Sequence, residues 1–392
     1  MNTQNTPVHV RLWHRDFWLL SFANLLLSMS VYILIPTMPE WLMQAKGLGA
    51  RGVGLAMGVF GLGLFVFGPF CSYLVQRYRR NRICILAVLG IIACLLSLYY
   101  VHGLQSYRVS EGFVLAQRCL LGAFYGLAMM VLGSTLIIDT CESYKRTEAN
   151  FSSGWFARFA MSLGPMTGIV LYNFLSFDAV VLAATASAAA AGVFILTVRF
   201  PFRTPSDDLR IVSLDRFLLP QGMPLFFSLL LISGAVGLLM SLGLSDRFYA
   251  LMMGGFLLAL LAQRFVFRDA ELKSEVVSGL ILLLAVELMV YTRPLPVVWY
   301  LSPLLLGLSV GIVGSRYLLF FVKLSHHCQR GTSQSTYMLA WELGVAIGVG
   351  AGYLFFFNDD HSLLIAAMVV TGLALLLYVH YTHDWFLKHK NR

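Results

Sequence analysis

Apolar residues run along this chain in blocks of about twenty, each closed by charged residues or by proline and glycine, the length an α-helix needs to cross a hydrocarbon core of roughly 30 Å. Reading between the polar breaks predicts helices at 16–38, 51–75, 83–102, 113–137, 149–172 and 179–199. A second set follows at 222–243, 247–266, 274–292, 297–322, 333–357 and 362–384. The longest connection, 200–221, carries Pro201, Pro205, Asp207, Asp208, Arg203, Arg210 and Arg216 and reads as a solvated hinge. The expected architecture is therefore an all-α membrane protein: twelve transmembrane helices in two pseudo-symmetric six-helix lobes, 1–199 and 222–392, joined by 200–221.

Composition agrees with the pattern. Of 392 residues 58% are hydrophobic and 12% charged, half the roughly 25% charge of a soluble domain, and the mean hydropathy is +0.77. The net charge of +9 points to no nucleic-acid partner, because the basic residues are scattered through the loops. Six cysteines form no CxxC pair, and most fall in apolar stretches, so neither a disulfide framework nor a metal site is expected; His326, His327 and Cys328 lack paired ligands at helical spacing. The apolar run from Phe17 is too long for a signal-peptide core and reads as a retained first helix. With the N-terminus inside, about 20 of the 28 Lys and Arg fall on cytoplasmic segments, which predicts a bacterial inner-membrane protein with both termini in the cytoplasm.

The two halves carry a repeat. Arg158, Gly164 and Gly168 in the fifth span align with Glu342, Gly348 and Gly352 in the eleventh, and Gln76-Arg77 after the second matches Gln263-Arg264 after the eighth. Duplication of a six-helix unit explains both.

In span number, loop lengths and central loop the chain resembles the major facilitator superfamily. Ser72, Leu74, Gln76, Arg77, Arg79, Arg80 and Arg82 look like that family's loop after the second helix, although Gln76 stands where the family has aspartate. Glu142 or Asp139 would then have to pair with these arginines. Arg118, Gly122 and Gly126 in span four, and Gly164-Pro165 with Gly168 in span five, resemble the drug-proton-antiporter and sugar-efflux branch. The resemblance implies a monomeric secondary transporter, not an enzyme, that exports a small amphipathic solute or drug by alternating access. It would need no cofactor beyond a proton gradient, and its partners would be that solute, protons and the bilayer. A symporter or facilitator importing a nutrient shares every bulk feature. A membrane-embedded enzyme or sensor would need a catalytic cluster, and none is apparent.

A charge at the centre of a membrane helix costs roughly 2.5–3.5 kcal/mol, so each one asks for a reason. Glu342 could load and release a proton, or lock two helices as a static ion pair. Arg158, at equivalent depth, could face Glu342 across a cavity, hold an anionic substrate group or bond backbone carbonyls. Arg118 is a third candidate for coupling, although as a structural residue it reads equally well. Arg316 reads as a snorkelling arginine, and Glu287 as a surface partner of Arg293. Phe22, Tyr32, Tyr125, Trp155, Phe156, Phe159, Tyr337 and Trp341 are candidates for a cavity wall, each of them also compatible with plain packing. Gly164, Pro165 and Gly168 are expected to form a hinge, with Arg77 and Arg80 at the gate; glycines at intervals of four are first a packing signal.

Overall fold

The computed structural model describes residues 11–103, 110–200, 209–267, 271–292 and 295–391. Six helices form the first half: α1 (Arg15–Gln44), α2 (Ala50–Arg77), α3 (Arg80–Gly103), α4 (Glu111–Asp139), α5 (Arg146–Phe174) and α6 (Phe177–Thr197). Six form the second: α7 (Pro220–Met240), α8 (Asp246–Phe265), α9 (Leu272–Thr292), α10 (Pro296–Leu324), α11 (Arg330–Phe355) and α12 (Asp360–His389). Eleven are long and apolar enough to span a membrane. The other, α5, has the length but buries Asn150, Ser153, Arg158 and Ser162, a polar face that makes sense only against protein or water.

The repeat read from the sequence is a repeat of contacts. Glycines bring backbones together where any side chain would intervene. A Cβ on Gly168 of α5 would lie 2.3 Å from the Ile33 carbonyl of α1, and one on Gly348 of α11 would lie 2.1 Å from the Gly234 carbonyl of α7. Likewise Gly122 of α4 closes on Phe60 of α2, and Gly307 of α10 on Met252 of α8. The fifth helix of each half thus packs on the first, and the fourth on the second.

Two seams join the halves. Along α2 and α11, Gly54 meets Gly350 and Gly61 meets Leu343 and Ala346. Along α5 and α8, Ser162 donates to the Tyr249 carbonyl, and Phe159 packs edge-on against Phe256.

The face that carries both termini is also the basic face. His14 bonds the Thr140 carbonyl there, and Asn391 N donates to Lys323 O at 2.9 Å. Gln76 leaves the arginines after α2 without a carboxylate at that position of their own loop. Asp139 takes up part of that role by pairing with Arg80, and Arg146 approaches the same carboxylate at 3.8 Å. Asp215 of the connection brings a second carboxylate to the end of α2. Its Oδ2 accepts from Ser72 at 3.0 Å and its Oδ1 from Thr332 at 3.1 Å, so one carboxylate joins the end of α2 to the start of α11. Residues 201–208 lie outside the described residues, but 209–219 do not form a free hinge. Phe217 is wedged beside Gly68, and the amides of Arg216 and Leu219 donate to the hydroxyls of Thr332 and Thr336, each at 2.8 Å.

This strap predicts that Asp215→Ala releases the terminal face. Hydrogen bonds to a charged group contribute about 1.5–3 kcal/mol, so alkylation of the buried Cys71, next to Ser72, is expected to rise at least about tenfold by peptide mass spectrometry. An unchanged rate would mean that the strap does not hold this face.

Two sequence-based expectations need correction. Arg316 does not snorkel: its Nε binds Glu275, whose carboxylate is buried between α9 and α10. Glu287 is no surface partner. It is 0% exposed and accepts from Thr371 of α12 at 2.7 Å, while Arg293 lies outside the described residues.

Candidate functional site

The site begins at an irregularity in α1. Pro36 has no N–H to give the Tyr32 carbonyl one turn earlier, and helical bonding slips at Ile33. The slip lies under Gly164 and Gly168 of α5, which are small enough to seat it, while α5 itself continues through Pro165 as one helix. The interruption of helical bonding thus lies in α1, opposite Gly164 and Gly168.

Tyr32, at this slip, points at the other half. Its Oη donates to Glu342 Oε1 at 3.1 Å, and Tyr125 Oη of α4 lies 3.4 Å from the same oxygen and from Ser28 Oγ. Glu342 is 8% exposed, and its hydrogen bonds from described residues come from two hydroxyls of the opposite half, with no ion pair. A carboxyl so held can accept both bonds whether or not it carries a proton. Ionisation therefore need not break the contact.

Arg158 is not its partner. Arg158 is 5% exposed, and its guanidinium donates to Tyr337 Oη at 3.1 Å and stacks over Trp155 at 5.0 Å. Nε and Nη1 have no hydrogen-bond partner among the described residues. Gly314 of α10 makes room for it, since a Cβ there would lie 2.9 Å from Nε.

Both charged groups line one cavity between the halves, together with Tyr32, Tyr337 and Trp341. It is narrow: centres of water molecules find about 50 Å³, room for a few waters. The buried Gln334 Oε1 and Ser335 Oγ on its wall also lack partners among the described residues. Sequence reasoning missed Asn24, Gln334 and Ser335, although the polar start of α11 through Ser333, Gln334, Ser335 and Thr336 was a signal. It also missed a widened π turn in α4, Leu132–Leu136, that sets Gly133 against Gln334.

Other candidates fall elsewhere. Arg118 is 1% exposed and stacks over Phe60 at 4.9 Å inside the first half, away from the cavity wall. Tyr125 and Trp155 stand behind the wall, supporting Glu342 and Arg158, and Phe159 belongs to the α5–α8 seam. Phe22 does not line the cavity: it is 41% exposed and clusters with Trp18 and Phe156 on the outer surface. Arg77 ends α2 on the terminal face beside Arg80. No group of three or more His, Cys, Asp or Glu gathers among the described residues as a metal site would require.

The arrangement is a cavity between two repeated halves, holding one carboxyl and one cation, a form that suits a solute-transport site. The fold is similar to that of the human organic anion transporter MFSD10, with a TM-score of 0.65 at 18% identity over 92% of this chain and 98% of that one. It is similar also to the nucleoside transporter NupG, with a TM-score of 0.66 at 12% identity over 93% and 99%. A bacterial homologue of the iron transporter ferroportin, in an outward-facing state, gives 0.65 at 15% identity over 95% and 99%. No curated protein matches the chain by sequence. The family model of the Major Facilitator Superfamily matches residues 20–349, and the chain, a multi-pass membrane transporter, belongs to that superfamily.

Proposed function

We propose that the protein is a proton-coupled secondary transporter in which the lobes 1–199 and 222–392 rock about the central cavity and Glu342 carries the proton. The observation that supports this most is the setting of Glu342: a buried carboxyl of one half whose hydrogen bonds come from Tyr32 and Tyr125 of the other. Rocking the halves apart removes those bonds and admits water, so the proton's environment changes with the conformation. One proton moving inward across an assumed potential of about 150 mV supplies roughly 3.5 kcal/mol, enough for a solute gradient on the order of 300-fold.

The resemblance of Gly164-Pro165 and Gly168 to antiporter helices supports export of a small amphipathic solute in exchange for protons. The basic terminal face supports a bacterial inner-membrane setting with both termini in the cytoplasm. Similar structures carry an organic anion, a nucleoside and iron by their own descriptions, so likeness of fold supports transport and no one cargo. Import by symport is the second reading. It is favoured by one observation, the unneutralised Arg158 in the same cavity.

The test is a pH measurement in proteoliposomes holding the intact protein and a proton gradient, challenged with cationic drugs, sugars and anionic metabolites. A solute that discharges the gradient is expected, and the sign of its own movement separates exchange from co-transport. A solute that crosses at the same rate whether or not a gradient exists, moving no protons, would end the proton-coupled reading.

A further inference from the structure

We infer that the cargo is a small organic monoanion with a flat apolar body, held at its charged end by Arg158 and taken up together with the proton on Glu342. This inference rests on the transport reading above and decides between its two senses of coupling.

The first step is the cost of Arg158. A guanidinium stays charged at any working pH, and burying a charge without a counter-ion is expensive. Buried cations are ordinarily paired, as Arg316 is with Glu275 in this chain. Arg158 has no ion pair among the described residues; it has one tyrosine hydroxyl, the ring faces of Trp155 and Tyr337, and two nitrogens with no hydrogen-bond partner there. Nη1 lies beside Gly154, which lines the cavity, and the Ser335 hydroxyl, without a partner among the described residues, stands on the same wall. An anion's oxygens would satisfy these groups together. One cation calls for one negative charge, a carboxylate or sulfonate rather than a phosphate dianion. Around it the wall is aromatic and thioether, with Tyr32, Trp341, Met129, Met161 and Met338, surfaces that suit a flat ring.

The second step is a charge count over the cavity. With Glu342 ionised and no cargo, Arg158 and Glu342 sum to zero. An anion alone makes the sum −1; an anion with a proton on Glu342 restores zero. A closed cavity is least costly when neutral, so the two states that cross the membrane are the empty one with ionised Glu342 and the one holding both anion and proton. Exchange of an anion for a proton would alternate −1 with +1. The titratable and charged groups that enter this count face Glu342 from three helices: Tyr32 of α1, Tyr125 of α4 and, across the cavity, Arg158 of α5. The neighbouring α2 and α7 meet this part of α11 with Gly61, Ser233 and Gly234.

The test uses the full chain in lipid nanodiscs with three probes of like shape: benzenesulfonate, benzenesulfonamide and benzylammonium. The sulfonate keeps its charge at every working pH, so any pH dependence belongs to the protein. It is expected to bind at least about tenfold tighter than the amide and the amine. Arg158→Gln should abolish that preference and Arg158→Lys should restore part of it. Binding should take up a proton, read as a change of heat with buffer ionisation, and Glu342→Gln should remove that uptake while the sulfonate still binds. Equal binding of the three probes, failure of the sulfonate to bind, a preference that survives Arg158→Gln, or release of a proton on binding would each overturn the inference. Failure of the transport reading looks different: sulfonate bound through Arg158 but unable to cross in proteoliposomes. Conversely, proton-linked movement of a cation or sugar, with no sulfonate binding, would leave transport standing and the anion inference refuted.

Discussion

Glu342→Gln is expected to abolish solute accumulation driven by a proton gradient, to the level of protein-free vesicles, while exchange of labelled for unlabelled solute continues. The amide has the shape of the carboxyl, and its Oε1 still accepts from Tyr32 and Tyr125, so the contact between halves survives. What it loses is the ability to gain or lose a proton. The cycle then turns only while carrying solute both ways, which exchange measures and accumulation does not. Thermal unfolding keeps the result from being mistaken for misfolding: the midpoint should stay that of the parent. Glu342→Ala should differ, because it leaves the buried Tyr32 hydroxyl without its acceptor, at about 1–3 kcal/mol, while Tyr125 keeps Ser28. Accumulation that persists undiminished in Glu342→Gln would sink the role assigned to this residue.

Much of the architecture was legible in the sequence because membrane helices announce themselves by length and hydropathy, which require no knowledge of partners. The pairing of α5 with α11 was legible too, since duplicated glycines mark duplicated backbone contacts. Glu342 and Arg158 stood out because a charge in an apolar run is costly. Their partners did not. The repeat puts the two residues at equivalent depth, yet Glu342 turns to tyrosines 217 and 310 positions away in the chain, and Arg158 turns to Tyr337. Such choices depend on helix rotation, and sequence spacing carries little of that. Glu287 and Arg316 misled for the same reason: a count from the end of a span gives depth, but depth alone does not tell lipid from a neighbouring helix.

The same gap explains Asp215. A motif read locally has a hole at Gln76, and the missing carboxylate returns partly from Asp139 and partly from a connection more than a hundred residues later. The physical demand, an acceptor between the end of α2 and the start of α11, is met from wherever the fold brings a carboxylate near.

Two glycines of α11, two residues apart, should fail in different ways. Gly348 faces α7 in its own half, where an added Cβ would lie 2.1 Å from the Gly234 carbonyl and 2.8 Å from Gly237 Cα. Gly350 faces α2 in the other half, with the Gly54 carbonyl at 2.8 Å and Gly58 Cα at 3.0 Å. Alanine in a helix interior is intrinsically better than glycine by about 1 kcal/mol, and overpacking costs about 1–3 kcal/mol where backbones cannot yield. The α7–α11 contact lies within one lobe and persists throughout a rocking cycle, so Gly348→Ala should lower the unfolding midpoint in every state. In the rocking cycle proposed above, the α2–α11 contact would be made only while the face opposite the termini is closed. Gly350→Ala should therefore leave the midpoint nearly unchanged and shift the conformational balance by about 5- to 150-fold towards opening of that face. A cysteine at Met161, on the cavity wall, would report the shift as faster alkylation by an impermeant reagent from that side. Gly372→Ala, where an added Cβ meets nothing within 4 Å, serves as the control. Equal losses of stability in Gly348→Ala and Gly350→Ala, with no change in alkylation, would mean that both seams are static and that the halves do not part along α2 and α11.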